Sequence, residues 1–334
     1  HFVNTIVPGE QAGSYYVTTL QAAAEHLGAR VFTDAVVEEL IEESGSIVGV
    51  RGKRGSSDAA VEVRAKSVVI ATGGYARNSE LAMQHDKRVY EGMLSSNVIS
   101  STGDGIALAT AVGADLMNME LTQIHPLGDP QNGGVSTFVG DWVGAESFIL
   151  VNKEGNRFVA ESSRRDVLTN AELKQTDSCL YIVLDSADLE PETYQAQIDH
   201  LVEGGHSVKA DTIEDLAAAI NVPAVALKSS VDQYNEAVKT GNDPLGKQFF
   251  SQEIATPPFY ASYREPTLHY CHGGIKINTD AQVVNTDGKV IPGLYTCGEV
   301  AGGIQGSNRL GANSLPDCVV FGRVAGTSAA INAK

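Results

Sequence analysis

Basic residues, aromatics and cysteine are all scarce in this sequence. Its 24 lysines and arginines face 41 aspartates and glutamates, a formal charge of −17. Nucleic acid and anionic membranes demand basic patches whose counterion release supplies affinity, so both are excluded as partners. No apolar run approaches the ~18–20 residues of a membrane span. The four cysteines, Cys179, Cys271, Cys297 and Cys318, form no C-x-x-C pair. They read as free, mostly buried thiols and not as a disulfide framework or metal cluster. The chain opens on His1 with no signal-peptide pattern, which reads as processing or as a stretch cut from something longer. The dinucleotide fingerprint G-x-G-x-x-G is also missing. Gly103 and Gly105 alone stand two apart, and the position three beyond is Leu108. If the protein binds a dinucleotide, its phosphate-cradling βαβ unit lies outside these residues.

What is present suits an α/β protein. Hydrophobic residues make up 43% of 334 and charged ones 19%, enough for a sizeable core and about two domains on length. Val17, Leu20, Ala24 and Leu27 recur at helical spacing over Ser14–Leu27, with Gly28 as a stop. Strands are predicted at Arg30–Thr33, Val36–Ile41 and Ile47–Gly52, with a hairpin tip at Gly55–Asp58. The run Ser67–Gly74 reads as a strand buried on both faces that delivers a glycine turn at its carboxyl end, where open α/β sheets bind ligands. Another helix follows Gly103-Asp-Gly105. Between 146 and 238 short strands (Phe148–Val151, Leu180–Leu184) mix with helices. The clearest is Pro223–Lys239, with Leu227, Val231, Tyr234 and Val238 on one stripe. From 252 the chain is expected to rejoin the first sheet.

Three constellations are suited to chemistry. Cys297–Leu315 carries glycines at 298, 302, 303, 306 and 311, too many for a stable helix or strand, so its backbone can lie flat against a ligand. Asn313-Ser314 then reads as an N-cap that aims free N–H groups at an acceptor. Arg309 among those glycines is hard to explain as a solvated charge. Leu268-His-Tyr-Cys-His-Gly-Gly274 holds His269 and His272, which suit hydrogen bonding better than zinc on an extended segment. Glu161–Asp166 sets paired arginines beside carboxylates, which in isolation reads as a surface charge run.

Taken in order, these segments resemble the flavoprotein subunit of the soluble fumarate reductase and succinate dehydrogenase family, over essentially the whole length. The residues that carry the likeness are Val69–Gly74, Thr102–Gly105, His125-Pro126, Val151–Phe158, Ser163–Asp166 and Val231–Glu236. Further ones are His269 with Gly273-Gly274, Ile291–Tyr295, and Gly298-Glu299 through Gly322-Arg323. The family's N-terminal FAD fingerprint is not among them.

The resemblance implies an incomplete α/β, Rossmann-like FAD-binding domain (1–120 and 252–334) with an inserted α+β capping domain (121–251). It implies FAD contacts at Val36, Ala71, Thr72, Gly73, Asp104, Glu299, Ser314 and Leu315. His269 and Arg309 match the pair that grips a substrate carboxylate, and His125 matches a further pocket histidine. Arg165 matches the arginine that protonates the substrate carbon opposite the hydride, with Arg164 the alternative if the register slips by one. Arginine stays charged at neutral pH, so such an acid needs a relay that replaces its proton. In the relay stretch Asp141 stands where the family has Glu, Gly144 replaces the relay arginine, and Gly140 replaces a substrate-binding threonine. The implied activity is reduction of the C=C bond of an unsaturated carboxylate, fumarate or a larger enoate such as urocanate. The implied partners are that small acid and an electron-donating domain or subunit carrying haem or FMN. Aspartate oxidase, ketosteroid dehydrogenase and a non-catalytic capping module are the alternatives.

Overall fold

The computed structural model describes residues 12–135, 139, 147–187 and 191–334. The chain begins α1 (Ala12–His26), β1 (Ala35–Glu43), β2 (Ser46–Arg54), β3 (Ala59–Arg64), β4 (Val68–Ile70), α2 (Ser79–His85) and β5 (Leu94–Ser95). It continues α3 (Asp104–Ala111), β6 (Leu116–Met117), β7 (Thr122–Gly128), β8 (Ile149–Val151), α4 (Arg165–Glu172), β9 (Leu180–Asp185) and α5 (Pro191–Glu203). It ends β10 (Val208–Ala210), α6 (Ile213–Ala219), α7 (Ala224–Thr240), β11 (Phe259–Cys271), β12 (Gly274–Ile275), β13 (Gln282–Val284), β14 (Val290–Thr296) and α8 (Ser314–Asn332). Among the described residues no helix is long and apolar enough to cross a membrane.

Two compact units result. The first takes His1–Gly73, Asp104–Asn118 and Gly273–Lys334; the second takes Gly74–Gly103 and Met119–His272. These bounds differ from the expected 121–251 insertion. The reason is β11, whose 13 residues pair with β5, β7, β9 and β10. The chain therefore leaves the second unit only after His272, not at 252.

In the first unit β1, β2 and β3 form an antiparallel sheet, while β4 runs parallel to β14 and β13 antiparallel to it. Ser44 and Gly45, both at positive φ, make the tight turn between β1 and β2. Two expectations fail here. Residues 30–33 are not a strand, and Val69 on β4 is 39% exposed, so that strand is not buried on both faces. The stripe on α1 forms its helix, yet Val17, Leu20 and Leu27 lie exposed. The C-terminal end of α8 is tied to the start of β4, where Ser67 Oγ donates to the Ala329 carbonyl at 3.1 Å.

The second unit is a sheet with a separate core on each face. Strand alternation sends Ile149, Val151 and Val183 to one side, where Leu216, Leu227, Val231 and Tyr234 of α6 and α7 cover them. Leu150, Ile182 and Leu184 point the other way, onto Leu168 of α4 and Ile198 and Leu201 of α5. The segment Val151–Phe158 turns tightly at Gly155, φ +78°, and delivers Arg157 into the interior. Arg157 meets Glu161 at 2.8 Å and Asp243 at 2.7 Å, all three buried. Lys247, also buried, lies 3.6 Å from Glu161 and donates to the Phe148 carbonyl at 2.9 Å. Burial draws the Lys247 ammonium down to about 8, with Glu161 opposing. Two cations against two carboxylates leave this cluster neutral. Removing one cation strands a buried carboxylate, a change that typically costs about 3–5 kcal/mol. Arg157→Met is expected to lose about that much unfolding free energy in denaturant titration. A loss within error of zero would contradict the cluster's structural role.

Candidate active site

In the second unit the site candidates gather where β7 pairs with β11. Thr267 faces His125 and Leu268 faces Ile124, after which the register slips and Tyr270 faces Gln123. His269 is the residue this slip inserts, and an inserted residue bends the strand and re-aims its side chain. Its ring stands edge-on to that of buried His125, with centroids 5.0 Å apart. Ser96 Oγ lies 2.7 Å from His269 Nδ1, and Asn97 Nδ2 donates to the His269 carbonyl at 3.0 Å. The Leu127 amide donates to His125 Nδ1 at 3.2 Å.

Gln123 and His125 sit two apart on β7 and so share a face. Gln123 Oε1 accepts from Arg165 Nη1 at 2.8 Å. Arg165 opens α4, and one turn on Thr169 Oγ1 donates to the Ile124 carbonyl at 2.8 Å, fastening helix to strand. The arginine pair is therefore split. Arg164 has a side chain 72% exposed and paired with Asp166, while Arg165 turns inward to Gln123. Sequence reasoning missed Gln123 and Ser96. The period-two spacing of Gln123 and His125 was an available signal; Ser96 carries none. Asp141, Gly140 and Gly144 lie outside the described residues. His272 is held within the same unit, its Nδ1 3.0 Å from the Leu121 carbonyl.

In the first unit β4 and β14 end together. Thr296 Oγ1 donates to the Ile70 carbonyl at 2.8 Å and the Cys297 amide to the same oxygen at 3.2 Å. The Ala71–Gly73 turn and the Gly298-Glu299 turn thus lie side by side at the carboxyl ends of parallel strands, the usual ligand edge of such sheets. Asp104 opens α3 and is exposed. Next to it, a Cβ on Gly105 would meet Thr72 Oγ1 at 2.2 Å, so glycine lets α3 press against the turn. A Cβ on Gly274 would lie 2.2 Å from the Val300 carbonyl, which accounts for the glycine after Gly273. Ser314 and Leu315 open the 19-residue α8 as predicted, but Asn313 makes no side-chain cap bond. Leu315 and Val36 are exposed. Arg309 is buried at 7% exposure, with Nη1 donating to the Leu310 carbonyl at 3.3 Å.

Comparison with known proteins decides the family. A sequence profile described as the FAD binding domain matches residues 6–315. The chain belongs to the FAD-binding, fumarate reductase-like flavoprotein family. It is 35% identical over 328 residues to an NADH:acrylate oxidoreductase of Vibrio harveyi, covering 96% of this chain and 32% of that protein. It is 35% identical over 336 residues to a urocanate reductase of Eggerthella lenta, covering 98% of this chain and 55% of that protein. Among solved structures, the open conformation of a flavocytochrome c3 fumarate reductase superposes with a TM-score of 0.81 at 33% identity, covering 98% of this chain and 57% of the other. The chain thus spans 32% to 57% of the length of these proteins. FAD is the family's cofactor, and the first unit fits it. Gly73 and Gly298, both at positive φ, leave backbone at the strand ends that a dinucleotide can approach, and the apolar Leu315 and Val36 are exposed.

One electrostatic feature of α4 yields a test. Glu172 ends this helix fully buried, and neither carboxyl oxygen has a hydrogen-bond partner. Burial, reinforced by Cys179 and Glu265, pushes its carboxyl well above the ordinary 4.5. The folded protein then holds a proton that the unfolded chain gives up, so stability falls as pH rises from about 5, by at most ~1.4 kcal/mol per pH unit. Glu172→Gln is expected to flatten this slope and to raise Tm more at pH 8 than at pH 5. Parallel Tm–pH curves for the two proteins would show that the carboxyl ionises freely.

Proposed function

We propose that this chain acts in an FAD-dependent oxidoreductase that reduces the C=C bond of an unsaturated carboxylate. In this reading the first unit is the FAD-binding domain and the second the capping domain. The observation that carries it is the placement of His125, His269 and the Gln123–Arg165 pair together on β7, β11 and α4. Two imidazoles and a guanidinium converging on one strand face suit a planar carboxylate next to a carbon that must be protonated. His269 and Arg309 would hold the carboxylate, His125 would line the pocket, and Arg165 would give its proton to the substrate carbon. Bound FAD supplies the hydride. Ala71, Thr72, Gly73, Asp104 and Glu299 would hold it from the strand ends, Val36 on its adenine side, and Ser314 and Leu315 against its ring.

Retention of both His269 and Arg309 favours an acid over a steroid, which offers that pair no anion. With Gly140 and Gly144 where the family has threonine and arginine, a larger enoate such as urocanate or an aryl acrylate suits the pocket better than fumarate. Asp141 would return the proton to Arg165. A haem- or FMN-bearing domain or subunit would be the electron donor, and the flavocytochrome likeness supports haem.

Two substitutions test the roles in the flavin-loaded enzyme, assayed with reduced viologen against fumarate, urocanate and cinnamates. Arg165→Ala is expected to lower kcat by about 10²–10⁴ while the flavin absorbance stays unchanged; substantial residual turnover would remove Arg165 as the acid. Arg309→Ala is expected to weaken carboxylate binding by about 2–5 kcal/mol, and unchanged kinetics would take it out of the site. A colourless protein that stays inactive with added FAD would favour the non-catalytic reading.

A further inference from the structure

The end of β14 and the start of α8 bring two thiols to one junction of the first unit. Tyr295 and Cys297 sit two apart and so share a strand face, and both pack with Val324, Ala325 and Ala329 of α8. On α8, Cys318 stands in line with Gly322, Ala325 and Ala329, the spacing of one helix face. Gly298, at φ +73°, turns the chain directly after Cys297, and a Cβ built there would lie 3.5 Å from Cys318 Sγ. All four cysteines are free. Cys318 is exposed and Cys297 half-buried, whereas Cys179 and Cys271 are buried.

Burial raises both thiols above the ordinary range. The charges of Cys318 and Asp317 add to this at Cys297, and those of Asp317 and Glu299 at Cys318. A thiolate is therefore disfavoured at this junction, while a disulfide carries no charge and loses nothing to burial or to the carboxylates. A thiol of raised pKa is also a poor leaving group, so a disulfide made from two of them resists reduction.

We propose that Cys297 and Cys318 form a redox modification site, a dithiol that a small-molecule disulfide such as oxidised glutathione converts to an internal cross-link. The exposed Cys318, as thiolate, attacks one sulfur of the reagent, whose S–S bond breaks and releases one glutathione thiolate. Cys297, as thiolate, then attacks Cys318 Sγ and expels the second. The two protons given up by the protein thiols go to the two glutathione thiolates, so one disulfide is reduced for the one formed. The cross-link ties the Gly298-Glu299 turn to the first turns of α8. On the function proposed above those segments carry flavin contacts, but the modification itself stands without that reading.

The test incubates wild-type, Cys297→Ser and Cys318→Ser proteins with oxidised glutathione in the absence of denaturant and maps their cysteine peptides by mass spectrometry. In the wild type the expected product is a linkage between the peptides that hold Cys297 and Cys318, with two glutathiones released per chain. Cys297→Ser is expected to keep glutathione on Cys318, because no thiol resolves the mixed disulfide. Cys318→Ser is expected to slow release of the first glutathione at least about tenfold; an unchanged rate would overturn Cys318 as the attacking thiol. Glutathione that stays on Cys318 in the wild type overturns the proposal, as does a linkage to Cys179 or Cys271, one that forms only in denaturant, or no reaction at all. The wild-type peptide map decides the matter by itself if either variant fails to fold.

Discussion

Strand β11 is the constraint on which the second unit depends. Four other strands hydrogen-bond to it, and its 13 residues run from the α5–α7 end of the sheet to the histidine pair. A strand that long forces one continuous twist on everything attached to it. Its register against β7 slips twice, between Glu265 and Thr267 and again between Leu268 and Tyr270. The second slip falls at His269. A regular ladder would hold His269 in strict opposition to β7. The slip frees it to stand edge-on to His125, with Ser96 behind its ring.

The buried Arg157 cluster shows why the family resemblance is strong in segments that bear no chemistry. Asn152, Gly155 and Arg157 belong to the stretch that carries much of the likeness. Asn152 closes the turn by accepting the Asn156 amide on its side chain at 2.9 Å. Ser230 accepts the Arg157 amide at 3.1 Å and donates to the Gly155 carbonyl at 2.8 Å. Tyr234 lies beneath the two cations, its ring centroid 4.8 Å from Lys247 Nζ. These side chains satisfy one another in a dry interior where an unmatched group costs several kcal/mol. Such a set is stable only when complete.

Legibility followed the range of the forces involved. The α7 stripe and the β1–β2 hairpin were readable because their signals, helical period and turn chemistry, lie within a few residues. The apolar residues at 31 and 32 failed as a strand because hydrogen-bonding partners, which no local pattern announces, decide whether an extended segment is one. The reach of β11 was unreadable for the same reason, and with it the boundary at His272. Among the candidate residues, His125, His269, Arg165 and Arg309 came from resemblance. The bonds that orient them did not. Ser96 and His269 are 173 positions apart, and Gln123 and Arg165 are 42 apart, so neither pairing leaves a trace in spacing.

The charge of −17 and an anionic substrate are compatible once range is considered. Surface carboxylates are spread over the chain, and many are already paired. Glu39 and Glu62 flank Arg51, and Glu43 meets Arg64. Beyond the ~8–10 Å Debye length of physiological salt, their field is largely screened. Donors in direct contact with a carboxylate act within 3 Å or so and in a drier medium, where the same interaction is several-fold stronger. Imidazole N–H groups and a buried guanidinium therefore outweigh many distant carboxylates. For the function proposed, the global charge then costs mainly association rate. On the proposed function, it leaves the strength of the final grip to local donors and to the neighbours that hold them still.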